Sequence, residues 1–98
     1  MAAKQDGRYD EAMRHLAIAL QLRPGDPGVR LQRASIRLAQ GDADAARQEV
    51  EQIVREYPSF AEAHATLATA YYKLKRKADG DREREAARKA QDEGAKLR

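Results

Sequence analysis

Cysteine and tryptophan are absent from this chain of 98 residues, and phenylalanine occurs once. Without cysteine there is no disulfide framework, no thiol nucleophile and no cysteine-ligated zinc, while the compartment stays open. With so few aromatics, Ala and Leu must carry the packing, which suits close helix–helix contact better than a thick core. The two histidines, His15 and His64, stand in neither an HxxxH nor an HExxH spacing, so nothing spells a metal site. A GxSxG turn and a glycine-rich phosphate loop are both missing. Paired carboxylates such as Asp10-Glu11 and Asp42/Asp44 fall in helix first turns, where they complement the helix dipole. We therefore expect no catalysis, no cofactor and no metal. The longest apolar run, Leu16–Leu20, is far too short to span a bilayer. Residues Met1–Asp6 lack the apolar core of a signal peptide, which favours a cytoplasmic location.

Charge is plentiful but mixed, with 19 basic against 16 acidic residues. Through Leu74 the two signs balance, and the excess of +3 sits in Lys75–Arg98. A nucleic-acid binder usually carries a one-signed patch with interleaved aromatics. The basic row Arg30, Arg33 and Arg37 and the run Lys75-Arg76-Lys77 are all that point that way, so we expect no nucleic acid. An acidic ligand on the Arg row is the more natural use.

What the chain does have is a repeat. Gly7, Ala12 and Pro24 recur 34 residues later as Gly41, Ala46 and Pro58, and Leu16, Ala19 and Leu20 recur as Val50, Ile53 and Val54. A third copy begins at Ala61, with Gly80 where Ala12 and Ala46 stand. Apolar residues at i, i+4, i+7 and i+8 in Ala12–Leu20 and again in Ala46–Val54 predict helices. Asp26-Pro27 predicts an N-cap followed by Pro in the first turn, and Asp42 a second N-cap. Ser59-Phe60-Ala61-Glu62 reads as a capping box. Gly7 and Gly41 suit left-handed helix stops, and Pro24 and Pro58 cannot continue the helices before them. The pattern predicts an all-α chain of five helices, at about 8–22, 27–40, 43–56, 60–74 and 76–96, joined by short connections.

Gly7-Arg8-Tyr9-Asp10-Glu11-Ala12 with Leu22-Arg23-Pro24, and Gly41-Asp42-Ala43-Asp44-Ala45-Ala46 with Tyr57-Pro58, resemble the second helix of a tetratricopeptide repeat. Ala61–Lys73 is similar to the first helix, with His64 where a large aromatic is usual. The resemblance covers nearly the whole chain. It implies a right-handed superhelix of antiparallel helix hairpins of about two and a half repeats. It also implies one domain over 1–98: a second helix of a truncated repeat at 7–26, a repeat at 27–58, and a repeat with a terminal capping helix at 59–98. The helix after Pro27 departs from the family phase, which places Arg30, Arg33 and Arg37 at large apolar sites. Sliding it by one residue puts Leu31, Ala34, Ser35 and Leu38 there instead, with the arginines on the opposite, wetter side.

The resemblance implies a scaffold that binds a peptide or helix of another protein in a concave groove lined by the first helices. On the fourth helix the groove-facing candidates are Glu62, Ala65, Thr69, Tyr72 and Lys73. On the second they are Val29, Gln32 and Ile36 in the slipped phase, and Leu31, Ser35 and Leu38 otherwise. With Lys73 the one inward base and no inward Asn, a clamp for a C-terminal carboxylate is not expected. The chain starts inside a repeat, leaving the apolar residues Met13, Leu16 and Leu20 of the first helix without their usual mate. Two readings fit: an excised piece of a longer array, or a surface covered by another chain, which makes self-association the alternative function. The Ala/Arg-rich composition suggests a bacterial-type assembly factor.

Overall fold

The computed structural model describes residues 2–96, with side chains described from Gly7 to Gly94. Five helices follow one another: α1 Ala2–Leu22, α2 Pro27–Ala39, α3 Ala43–Glu56, α4 Ala61–Lys73 and α5 Lys77–Lys96. Among the described residues there is no strand. Each helix packs on its neighbour in sequence, and α2 also touches α4. This is an all-α helical repeat solenoid.

The expected punctuation holds at two helix starts. The Asp26 carboxylate accepts from the Val29 amide at 3.1 Å, with Pro27 in the first turn, and Asp42 accepts from the Ala45 amide at 3.4 Å. Gly41 takes φ +91° at the α2–α3 turn, where its amide and that of Asp42 close onto Leu38 and Arg37 carbonyls. The same bonds recur 34 residues on, Lys75 N–H to Tyr72 O and Arg76 N–H to Tyr71 O, at the α4–α5 turn. There Lys75 occupies the place of Gly41 and is left-handed at φ 64°.

Two expected boundaries fail for local reasons. Gly7 does not stop a helix, because α1 runs through it without a turn. Arg8 stands where Asp42 caps α3, and a guanidinium offers no acceptor to open amides. Ser59 does not cap α4 either. The helix begins at Ala61 with Phe60 as N-cap and no side-chain cap bond, because the Phe60 ring packs against the core and fixes the entry of the chain.

Small side chains fill the interior, as the composition requires. Ala34, Ala46, Val50, Ile53, Ala63 and Ala70 are fully buried, with Leu31, Leu38, Leu67 and Tyr71 around them. Deleting buried methylenes from such a core costs on the order of 1 kcal/mol each. On α2 the stripe Leu31, Ala34 and Leu38 is buried as expected, but Ser35 is exposed.

The arginine row does not face water, and that expectation is corrected. Arg33 makes a forked pair with Glu49 of α3, Arg37 reaches Glu49 at 3.7 Å, and Arg30 is bidentate to Glu56 at 3.0 and 3.2 Å. Only 11% of the Arg30 side chain and 12% of the Glu49 side chain remain exposed. The fourth helix confirms the register, since His64 meets Glu83 of α5 at 2.8 Å, and Glu83 lies 34 residues after Glu49. No one-residue slip is needed. Arg33 holds the place of Leu67, and carboxylates on α3 make that place tolerable.

Candidate functional site

Two bays open between the helices. The first, of about 660 Å³, lies where α1, α2 and α4 converge. Its floor is apolar, from Leu16, Leu31, Ile36 and Phe60, and its rim carries Gln32, Ser35, Glu62 and Thr66. The second, of about 610 Å³, lies between α4 and α5, lined by Ala65, Thr69 and Tyr72 on one side and by Asp81, Arg84 and Arg88 on the other.

The sequence-derived candidates are thus divided between the two. Gln32, Ile36 and Glu62 come together in the first bay, and Ala65, Thr69 and Tyr72 in the second. Lys73 is exposed and lines neither. Of the alternatives for α2, Leu31 and Ser35 join Gln32 and Ile36 in the first bay, so both phases contributed a pair. The sequence reading missed Thr66, one turn after Glu62, and the contribution of Phe60. A helical i, i+4 step from Glu62 was the signal for Thr66.

The hydroxyls at these positions are already engaged. Thr66 donates to the Glu62 carbonyl at 2.9 Å and Thr69 to the Ala65 carbonyl at 3.2 Å. Such back-bonding inside a helix leaves the hydroxyl little to offer a ligand beyond its shape. Glu62 and Gln32 therefore hold the open polar capacity of the first bay. No Lys or Arg lines it.

Tyr72 is held from two sides. Its hydroxyl donates to Asp81 at 2.6 Å, and its ring lies over Gly80. The hydrogen bond from Tyr72, with a second from Lys77, keeps the Asp81 carboxyl below its ordinary range. Tyr71 points the other way, into the core, where its hydroxyl donates to Glu51 at 2.6 Å and Arg76 sits 4.6 Å over its ring. Burial first, and the Glu51 bond second, push the Tyr71 phenol up to about 12. Burial also lifts Glu51, but the Tyr71 and Arg47 hydrogen bonds outweigh it and leave that carboxyl lowered.

The remaining candidates fall outside the bays. His64 packs between α4 and α5 with Nδ1 on Glu83 and Nε2 at 2.7 Å from the Pro58 carbonyl. The basic row is neutralised as described above and presents no open cationic surface for nucleic acid or an acidic ligand. The apolar face expected at Met13, Leu16 and Leu20 is also corrected: Leu16 is 8% exposed, and Met13 and Leu20 are half-buried. The helix presents Ile18 (57% exposed) and Leu22 (79%) instead. Among the described residues no three His, Cys, Asp or Glu side chains gather as for a metal ion, and no helix is long and apolar enough to cross a membrane.

Comparison with known proteins agrees with this geometry. The sequence profile of the tetratricopeptide repeat matches residues 3–70 and again 37–95. The TPR repeat-containing thioredoxin TTL4 of Arabidopsis thaliana is 38% identical over 68 residues, which cover 69% of this chain and 10% of that relative. The chain thus corresponds to about a tenth of the relative's length.

Proposed function

The chain belongs to the tetratricopeptide repeat family, whose repeats generally mediate protein–protein interaction and generally do no chemistry, and from that premise we propose that it is a scaffold holding a segment of a partner protein in the bay between α1, α2 and α4. One observation carries the proposal: the apolar floor of Leu16, Leu31, Ile36 and Phe60 beneath a polar rim of Gln32, Ser35, Glu62 and Thr66. A floor of this kind accepts apolar side chains of a helix or extended strand, and the rim fixes its orientation. Glu62 is the one carboxylate in the lining, so the segment carries a basic side chain opposite it. The absence of Lys and Arg from the lining speaks against a C-terminal carboxylate as the anchor. The segment continues along α4 past Ala65 and Thr69 to Tyr72 and Lys73, whose exposed edges extend the same side of the helix.

Selection from a displayed peptide library against the intact chain tests this. Winning peptides should share apolar residues with a nearby Lys or Arg. Their binding should fall more than about tenfold in Thr66→Arg or Glu62→Arg, with the melting temperature unchanged. Peptides that bind Thr66→Arg and Glu62→Arg as tightly as the parent would remove the bay from consideration.

A further inference from the structure

The 34-residue repeat is a geometric operator, and it says what is uncovered on α1. On α3, Glu49 and Glu56 receive the arginines of α2, the antiparallel helix before it. On α5, Glu83 receives His64 of α4 in the same way. The line through positions 49, 52 and 56, at i, i+3 and i+7, is therefore where a second helix meets its hairpin mate. Subtracting 34 gives His15, Ile18 and Leu22 on α1. The two most exposed large apolar side chains of that helix, Ile18 at 57% and Leu22 at 79%, lie on this line. At the corresponding positions α3 has Gln52 and Glu56, so the apolar character belongs to α1 alone.

We infer that the His15–Ile18–Leu22 face of α1 docks an amphipathic helix of another polypeptide, antiparallel to α1, with apolar side chains where α2 carries arginine. The chemistry follows from the two mates the chain already has. A mate of α2's kind brings guanidiniums to meet Glu49 and Glu56, and α1 offers no carboxylate at either place. A mate of α4's kind has Leu67 and Tyr71 at the positions of Arg33 and Arg37, and those suit Ile18 and Leu22. A second copy of this chain has no such helix to lend, because its α2 and α4 are each packed between neighbours. The face adjoins the first bay through His15 but does not depend on that bay being a binding site.

Two synthetic peptides serve as probes, one with the α4 sequence (residues 59–75) and one with the α2 sequence (residues 26–40), each titrated into the intact chain by calorimetry. The α4 peptide should bind at least about tenfold more tightly than the α2 peptide. Leu22→Asp or Ile18→Asp should abolish that difference while helical circular dichroism stays at the parent level, since both side chains are exposed. Thr66→Arg should leave it intact, which separates this face from the bay. Equal binding of the two peptides, or α4-peptide binding that survives Leu22→Asp, overturns the inference. So does a chain that sediments as a dimer and becomes monomeric in Leu22→Asp, because the occupant is then a second copy.

Discussion

Gly80 lies directly beneath the ring of Tyr72, so close that a Cβ on the glycine would stand 2.5 Å from the tyrosine Cε1. The equivalent pair one repeat earlier is Leu38 and Ala46, both buried. Volume has moved from one partner to the other: the larger ring on α4 requires the smaller residue on α5. Glycine inside a helix costs about 1 kcal/mol relative to Ala, and the tyrosine is the reason it is kept.

Gly80→Ala should therefore destabilise the protein by about 1 kcal/mol despite the better helix propensity of Ala, because overpacking typically costs about 1–3 kcal/mol. In a Tyr72→Ala background the same substitution should become stabilising. Urea denaturation of the four proteins in this cycle measures the coupling. Additive effects would mean that the ring moves aside freely.

The Arg33–Glu49 pair makes the second prediction. Glu49 is 12% exposed at its side chain and depends on Arg33 and the more distant Arg37. Glu49 supplies the hydrogen bonds that raise Arg33. Arg33→Ala should cost about 1–3 kcal/mol, mostly from the carboxylate left short of partners. Arg33→Leu with Glu49→Leu should recover most of that loss, since Leu67 already fills the corresponding site on α4. Thermal melts of the single and double variants decide the matter. A change below about 0.5 kcal/mol in Arg33→Ala would place the guanidinium in water.

These pairs mark the limit of what the sequence disclosed. The helices, the α2–α3 turn and the core stripe of α3 were legible because 3.6-residue periodicity and Asp caps are local signals. Arg33 meets Glu49 across 16 residues and Arg30 meets Glu56 across 26, so their burial follows from hairpin packing. The signal was nonetheless present as a basic stripe on one helix and acids seven apart on the next. Gly7 misled because glycine permits a turn without causing one; the missing acceptor at Arg8 decided the outcome. Candidate residues on α4 were found on the correct helix, but their division between two bays depends on how α5 leans against it.

Lys75 supplies the third prediction. It holds a left-handed conformation at φ 64° in a turn where the earlier repeat has Gly41 at φ 91°. A side chain in that region costs roughly 1 kcal/mol that glycine avoids, partly offset by the greater freedom of glycine in the unfolded chain. Lys75→Gly should raise stability by about 0.5–1 kcal/mol and shift the melting temperature upward by a few degrees. The side chain is exposed, so no packing is lost. A lower melting temperature would show that Lys75 contributes through its charge.

Tyr71 makes stability fall at alkaline pH. Its hydroxyl is buried and donates to Glu51, and its pKa rises from 10.0 to about 12 on folding. The folded state thus holds its proton more tightly than the unfolded state. The corresponding stabilisation is complete below pH 10 and is lost as the pH climbs from 10 towards 12. Glu51 works in the opposite direction at the acid end: its carboxyl is lowered, so its contribution is present above the ordinary glutamate range and disappears as the pH falls through the folded value. Tyr71→Phe removes the first effect and weakens the second. Denaturation midpoints between pH 7 and pH 12 should therefore decline more steeply for the parent than for Tyr71→Phe, by on the order of 2 kcal/mol across that span. Between pH 5 and pH 3 the parent should again show the steeper loss. Parallel curves at the alkaline end would mean that the phenol ionises as readily in the folded protein as in water, and that its bond to Glu51 is not kept in solution.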